Sequence, residues 1–202
     1  MLSQNPFQLT SLLCIVIIAS FCQTSLQKKY LSPEEQSKYI KQGEDIVQQS
    51  FQALSAELSK ALQEGGVQNA VGYCHLKASP IIDSLSIKYG VKISRISVKY
   101  RNSLNKPDLS DMAILDAYRQ QLAEGKILPA HLEVTEEDVT YYSPIVIRNP
   151  MCLLCHGEPE KSIEQENYDF IKTKYPTDLA TGYQLGDLRG TWKVVFETNN
   201  TN

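Results

Sequence analysis

The chain is poor in the residues that build metal clusters and disulfide frameworks. It has five Cys and three His among 202 residues, and outside one short segment they do not gather at ligand spacing. A structural zinc site needs four such ligands, so none is expected. Positive charge is not in excess either. Twenty Lys and Arg against 23 Asp and Glu give a net charge of −3, which offers no footing for nucleic acid or an anionic membrane surface. There is no internal repeat and no low-complexity tract. No segment reads as a kinase, a DNA-binding unit or a transmembrane helix, so any signal must pass to another protein.

What the chain does have is Cys152-Leu153-Leu154-Cys155-His156. Two cysteines separated by two residues, with a histidine directly after, form the c-type haem attachment pattern. Each thiol adds across one porphyrin vinyl group, and the adjacent histidine is then held over the iron as an axial ligand. With five Cys and three His in the chain, about 0.002 such strings are expected by chance. Two other readings exist. Half a zinc site lacks its other half. A dithiol redox pair belongs beside a βαβ pattern in a cytosolic protein, and neither condition is met.

Attachment of this kind requires export to an oxidising compartment. Residues 12–22, Leu-Leu-Cys-Ile-Val-Ile-Ile-Ala-Ser-Phe-Cys, form an apolar run of signal-peptide length, too short to span a bilayer as a helix. No Lys or Arg precedes Lys28, so the usual basic flank is missing. Cleavage after Cys22 suits the small residues Ser20 and Cys22. Acylation of Cys22 competes, although Phe21 is bulky for a lipoprotein signal. The product is exported, periplasmic, or a membrane-anchored lipoprotein if Cys22 is acylated. A haem domain over 30–197 and a frayed tail over 198–202 complete the organisation.

Ser32-Pro33-Glu34-Glu35 reads as a capped helix start. Ile40, Val47, Phe51, Leu54, Leu58 and Leu62 then recur at helical spacing until Gly65-Gly66, with Gly43 as a candidate interruption. That apolar face packs on the domain or, in a homodimer, on a second copy. A second helix is expected over 67–77, a break at Pro80, and a third helix over 81–89 closed by Gly90. A strand of imperfect alternation covers 91–98, a turn 102–108, and a helix carrying Met112, Leu115, Tyr118 and Leu122 ends at Gly125. Residues 130–135 and 139–147 read as a hairpin, 163–174 as a short polar helix and 191–196 as a last strand. Strands with non-alternating helices indicate an α+β domain around an antiparallel sheet.

His156 supplies one axial position, and four groups compete for the other: Cys74, His75, His131 and Met112. Cys14 and Cys22 lie in the export segment and Cys152 and Cys155 are used by haem, which leaves Cys74 as a single thiol. Thiolate is a strong ligand for ferric iron. His75 would face another side of the same helix, so only one of the two reaches the iron. Residue chemistry alone leaves Cys74 and His75 level.

Several segments together are similar to one family: Val71-Gly72-Tyr73-Cys74, Arg95-Ile96-Ser97-Val98-Lys99-Tyr100-Arg101-Asn102, Asn105-Lys106-Pro107-Asp108, Tyr142-Ser143-Pro144-Ile145, the haem motif, and the run from Ala180 to Gly190 ending Gly-Asp-Leu-Arg-Gly. The chain resembles the Tll-like single-haem c-type domains, which occur alone or ahead of bacterial sensor kinases. The resemblance covers about residues 32–197. It implies a PAS-like fold, a central antiparallel sheet with flanking helices and an added N-terminal helix. It also implies one haem c attached through Cys152 and Cys155, with His156 as proximal and Cys74 as distal ligand. Ser103 stands where the family pattern has proline, which alters loop stiffness and not ligation. Arg95, Lys99 and Arg101 either neutralise haem propionates or form a solvated face.

Three functions compete. A PAS-like domain with a redox-labile thiolate ligand suits a redox-responsive sensor or signalling module. A simple low-potential electron carrier is the alternative. A peroxidase needs an open iron and a distal acid–base group, and no distal His stands in a supporting pattern. The signalling or redox partner is not named by the sequence.

Overall fold

The structure, a computed structural model, describes residues 30–198. The export segment expected over 1–22 and residues 199–202 of the tail lie outside them. No helix among the described residues is long and apolar enough to cross a membrane.

Helix α1 runs from Pro33 to Tyr89. Its start is the expected capping box: the Glu35 amide donates to Ser32 Oγ at 3.2 Å and the Ser32 amide donates to the Glu35 carboxylate at 2.8 Å. Gly65 and Gly66 leave helical geometry, and Gly66 adopts a φ of 67°, a conformation that glycine enters without a Cβ penalty. The two arms, 33–64 and 67–89, fold back on each other there. Asn69 Nδ2 donates to the Ala61 carbonyl at 2.8 Å, the Tyr73 hydroxyl donates to Glu57 at 2.6 Å, and Tyr89 meets Gln49 near the far end. The element is therefore an αα-hairpin.

Two expected interruptions are absent. Pro80 sits within the second arm without ending it. Its missing N–H would have bonded to residue 76, and both Pro80 and Leu76 lie on the exposed side of the arm, so the freed carbonyl is not sealed from solvent. Gly43 is buried within an unbroken first arm, and a Cβ there would run into the Tyr141 ring. It is a contact glycine, not a breaker.

The remaining elements are β1 (Lys92–Ile96), α2 (Leu109–Ala123), β2 (His131–Val134), β3 (Asp138–Val146), α3 (Leu153–His156), α4 (Gln165–Lys174) and β4 (Leu188–Glu197). The strands form one antiparallel sheet in the order β1-β4-β3-β2. The expected hairpin is β2–β3, with His131 opposite Tyr142. β1 ends at Ile96, short of Val98, and β4 begins at Leu188, earlier than Thr191. β1 stops where the Ser97 amide turns to the Asn105 carbonyl at 3.1 Å, and β4 gains its early residues at Gly190. A Cβ there would clash with the Ile96 carbonyl oxygen, so its absence lets β4 approach the end of β1.

Alternate residues of the sheet face opposite layers. Ile93, Tyr141, Trp192 and Val194 pack with Ile46 and Ile82 of the two α1 arms. Tyr142 and Ile96 pack with Tyr118 of α2 on the other face. There Tyr142 donates to buried Asp111 at 3.1 Å, and Lys193 Nζ pairs with Asp111 at 2.8 Å. A third cluster, Val71, Ile163 and Ile171 with Cys155 and Tyr175, joins the second arm to α4 at the haem motif. The α+β architecture expected from the element pattern is thus observed.

Candidate functional site

The Cys152–His156 segment leaves β3 through Asn149, whose side-chain oxygen accepts from the Met151 amide at 2.9 Å and opens a tight 3-10 turn over Pro150–Cys152. α3 follows at once. Gly157 ends it, its N–H donating a hydrogen bond to the Leu153 carbonyl at 2.9 Å. A Cβ on Gly157 would lie 2.6 Å from that carbonyl oxygen, so the chain turns there only with glycine.

A loop before β4 holds this short helix. The Tyr183 amide donates to the His156 carbonyl at 2.9 Å and the Gly182 amide to the Gly157 carbonyl at 2.7 Å. The His156 Nδ1 lies 2.7 Å from the Ala180 carbonyl oxygen. A carbonyl only accepts, so Nδ1 carries the proton and the Nε2 lone pair is left free for a metal. Burial, with the charges of Arg189 and Arg101, pushes the imidazole well below its ordinary pKa. It is neutral, the form that ligates.

Arg101 locks the same assembly. Its Nη2 donates to the Cys155 carbonyl at 2.6 Å, and its Nε and Nη2 each meet the Asp178 carboxylate at 3.1 Å. The two side chains are only 13 % and 0 % exposed, so this is a buried, bidentate pair. Asp178 in turn accepts from the Ala180 amide at 2.9 Å, which aims the Ala180 carbonyl at His156.

Cys74 and His75 occupy adjacent positions on the second arm with opposite outcomes. Cys74 is half-buried; burial pushes its thiol up, and the charges of Arg95 and Arg101 oppose that. It also lies within electrostatic reach of the Cys155 thiol. His75 is exposed, with its ring edge-on to Tyr175 at 4.9 Å between centroids. His131 is exposed on edge strand β2, and Met112 lies on α2, away from the motif. The second arm thus brings Cys74 to the side of Cys155 and the arginines.

The basic residues are not a solvated face. Arg95 lies 5.6 Å from the Trp192 ring centroid, and burial lowers its pKa. Lys99 Nζ donates to the Thr181 carbonyl and sits 4.3 Å over the Tyr183 ring. Arg101 is committed to Asp178. Arg189 is a further member that single-residue reasoning missed, although it stands in the Gly-Asp-Leu-Arg-Gly segment. It reaches the Lys99 carbonyl at 3.1 Å, and its buried Nε has no acceptor. Three guanidiniums therefore act electrostatically on His156, and among the described residues only Asp178 is ion-paired with any of them.

Among the described residues no three His, Cys, Asp or Glu side chains are grouped to hold a bare metal ion. Cys74, Cys152 and Cys155 are free thiols. An open groove of about 470 Å³ runs beside the motif, lined by Gly65, Val67, Leu154 and Glu164 among others.

The Tll0287-like family profile matches residues 30–196. Among solved structures, the cyanobacterial haem protein Tll0287 superposes with a TM-score of 0.60 at 23 % identity, over 85 % of this chain and 100 % of that one. The likeness extends to the α+β, PAS-like fold. None of the curated proteins matches the chain. With its profile match spanning almost all of the described residues, the chain belongs to the Tll0287-like family.

Proposed function

We propose that this chain carries one haem c, attached through Cys152 and Cys155, with His156 and Cys74 as axial ligands, and acts as a redox-responsive signalling module. The observation that carries the reading is the pairing of a neutral, Nδ1-anchored His156 with a half-buried Cys74 on a separate structural arm. The charge balance supports it. Arg95, Arg101 and Arg189 face a single paired carboxylate, Asp178. A group bringing two carboxylates, as haem does, fits the surplus.

When bound, haem supplies a one-electron ferric–ferrous couple. The chain's own residues do the rest. Arg101 and Asp178 fix the loop whose Ala180 carbonyl orients His156. Cys74 offers sulfur to the ferric state as a thiolate. On reduction by an electron from a redox partner protein, Cys74 would release its bond to iron and take a proton from solvent, because burial favours the neutral thiol. The arm over 67–89 is then freed from the site, giving a two-state element that another protein can read. The reading places the protein in an exported compartment, as c-type attachment requires.

The test is the absorption spectrum of haem-loaded protein, ferric and ferrous, for the native chain and for Cys74→Ala. Thiolate ligation in the native ferric form, lost in the variant and on reduction, is the expected result. Identical spectra would remove Cys74 from the site. An unchanged ligand set in both redox states would leave a plain electron carrier.

A further inference from the structure

Beside Tyr183, a small cavity of about 70 Å³ lies between α2 and the start of β4. Its walls include Ser97, Lys99, Arg119, Tyr183, Arg189 and Gly190. Three of these are cations, and no carboxylate lines it. Asp116 takes one Arg119 nitrogen at 2.6 Å but does not enter the lining. Lys99 and Arg189 both lie against Tyr183, at 4.3 and 5.4 Å from the ring centroid.

The polar accounting is incomplete. Arg189 uses one nitrogen on the Lys99 carbonyl, and its buried Nε is without an acceptor. A buried donor without an acceptor is destabilising, and such a group in a native fold calls for a partner the protein itself does not supply. A void this size holds a few waters or one small ion. The cations select an anion, and their fork-shaped donors select oxygen.

We infer that this cavity is an oxyanion site, taking either a small free oxyanion or carboxylate from solution or a haem propionate. The second source rests on the proposed haem attachment; the first does not. Because the Tyr183 ring meets His156 edge-on at 6.3 Å and 87°, an anion there lies one ring away from the axial ligand. Filling the site adds negative charge near His156 and moves the midpoint potential of the bound haem downward.

Nitrate and acetate titrations of the haem-loaded full chain at constant ionic strength, followed by calorimetry, test this. Arg119→Gln and Lys99→Met are the variants; the first lies on an exposed helix face and the second keeps the apolar stem on Tyr183. Saturable binding, weakened at least tenfold in either variant, assigns the site to a free oxyanion. No binding, but a propionate carboxylate infrared band displaced by Arg119→Gln, assigns it to the haem. The absence of both saturable binding and a displaced band overturns the inference. If the purified chain shows no haem absorption, the proposed function fails separately, and the titration alone decides the cavity.

Discussion

His156 Nδ1 and the Ala180 carbonyl oxygen stand 2.7 Å apart, and the carbonyl is aimed by a bond from its own residue's amide to Asp178. The orientation of the imidazole is therefore set two residues upstream of its direct partner. Asp178 is held by Arg101, which also grips the Cys155 carbonyl. One ion pair thus fixes both sides of the histidine.

Arg101→Ala tests this clamp. It leaves the Asp178 carboxylate buried and unpaired, which costs about 3–5 kcal/mol. Urea denaturation of the variant should show that loss. Replacing both partners, as Arg101→Met with Asp178→Leu, should recover a large part of it. Equal losses in the single and double variants would mean that the pair is not the clamp.

The buried His156 predicts an acid-sensitive fold in the chain without haem, prepared as Cys152→Ser with Cys155→Ser. The native imidazole is held well below the ordinary 6.5. Below that value the unfolded state takes up a proton that the native state refuses, so stability falls as pH drops through 6.5. Above it both states are neutral and this contribution is constant. Denaturation curves at pH 5.5 and 7.5 measure the difference, and a His156→Gln background should flatten it.

In the same double variant Cys74 should react slowly with iodoacetamide at pH 7.5. Burial raises its thiol above the usual 9.0, and Arg95 and Arg101 do not cancel that. The rate should keep climbing past pH 9, since only the thiolate attacks. A plateau below pH 8.5 would contradict the environment described here.

Gly43→Ala should destabilise the fold by about 1–3 kcal/mol, because the added methyl must displace the Tyr141 ring. On an isolated helix the same change is favourable by about 1 kcal/mol. Thermal unfolding decides which effect wins, and a raised melting temperature would show that Tyr141 yields easily.

The legible parts of this molecule are those set by short-range chemistry. The Ser32–Glu35 box, the Gly65-Gly66 break, the β2–β3 hairpin and the Cys152–His156 motif each lie within a few residues, and each stands where expected. Pro80 misled because a proline is tolerated when the carbonyl it strands faces water. The fold-back of α1 was hidden because Asn69–Ala61 and Tyr73–Glu57 pair across a turn. Arg189 was hidden because its surroundings come from residues about 90 positions away. Level on residue chemistry alone, and parted in the sequence only by the family resemblance, Cys74 and His75 are set apart in the fold by the rotation of their arm against Cys155 and Tyr175.

β4, the last strand in the chain, lies in the interior of the sheet between β1 and β3. A polypeptide emerging from its N-terminus therefore has no continuous sheet until residues 188–197 arrive, and pairing strands so far apart in sequence is slow. Cys152 and Cys155 have by then already emerged. Until β4 inserts they lie on an open chain, and its arrival completes the sheet.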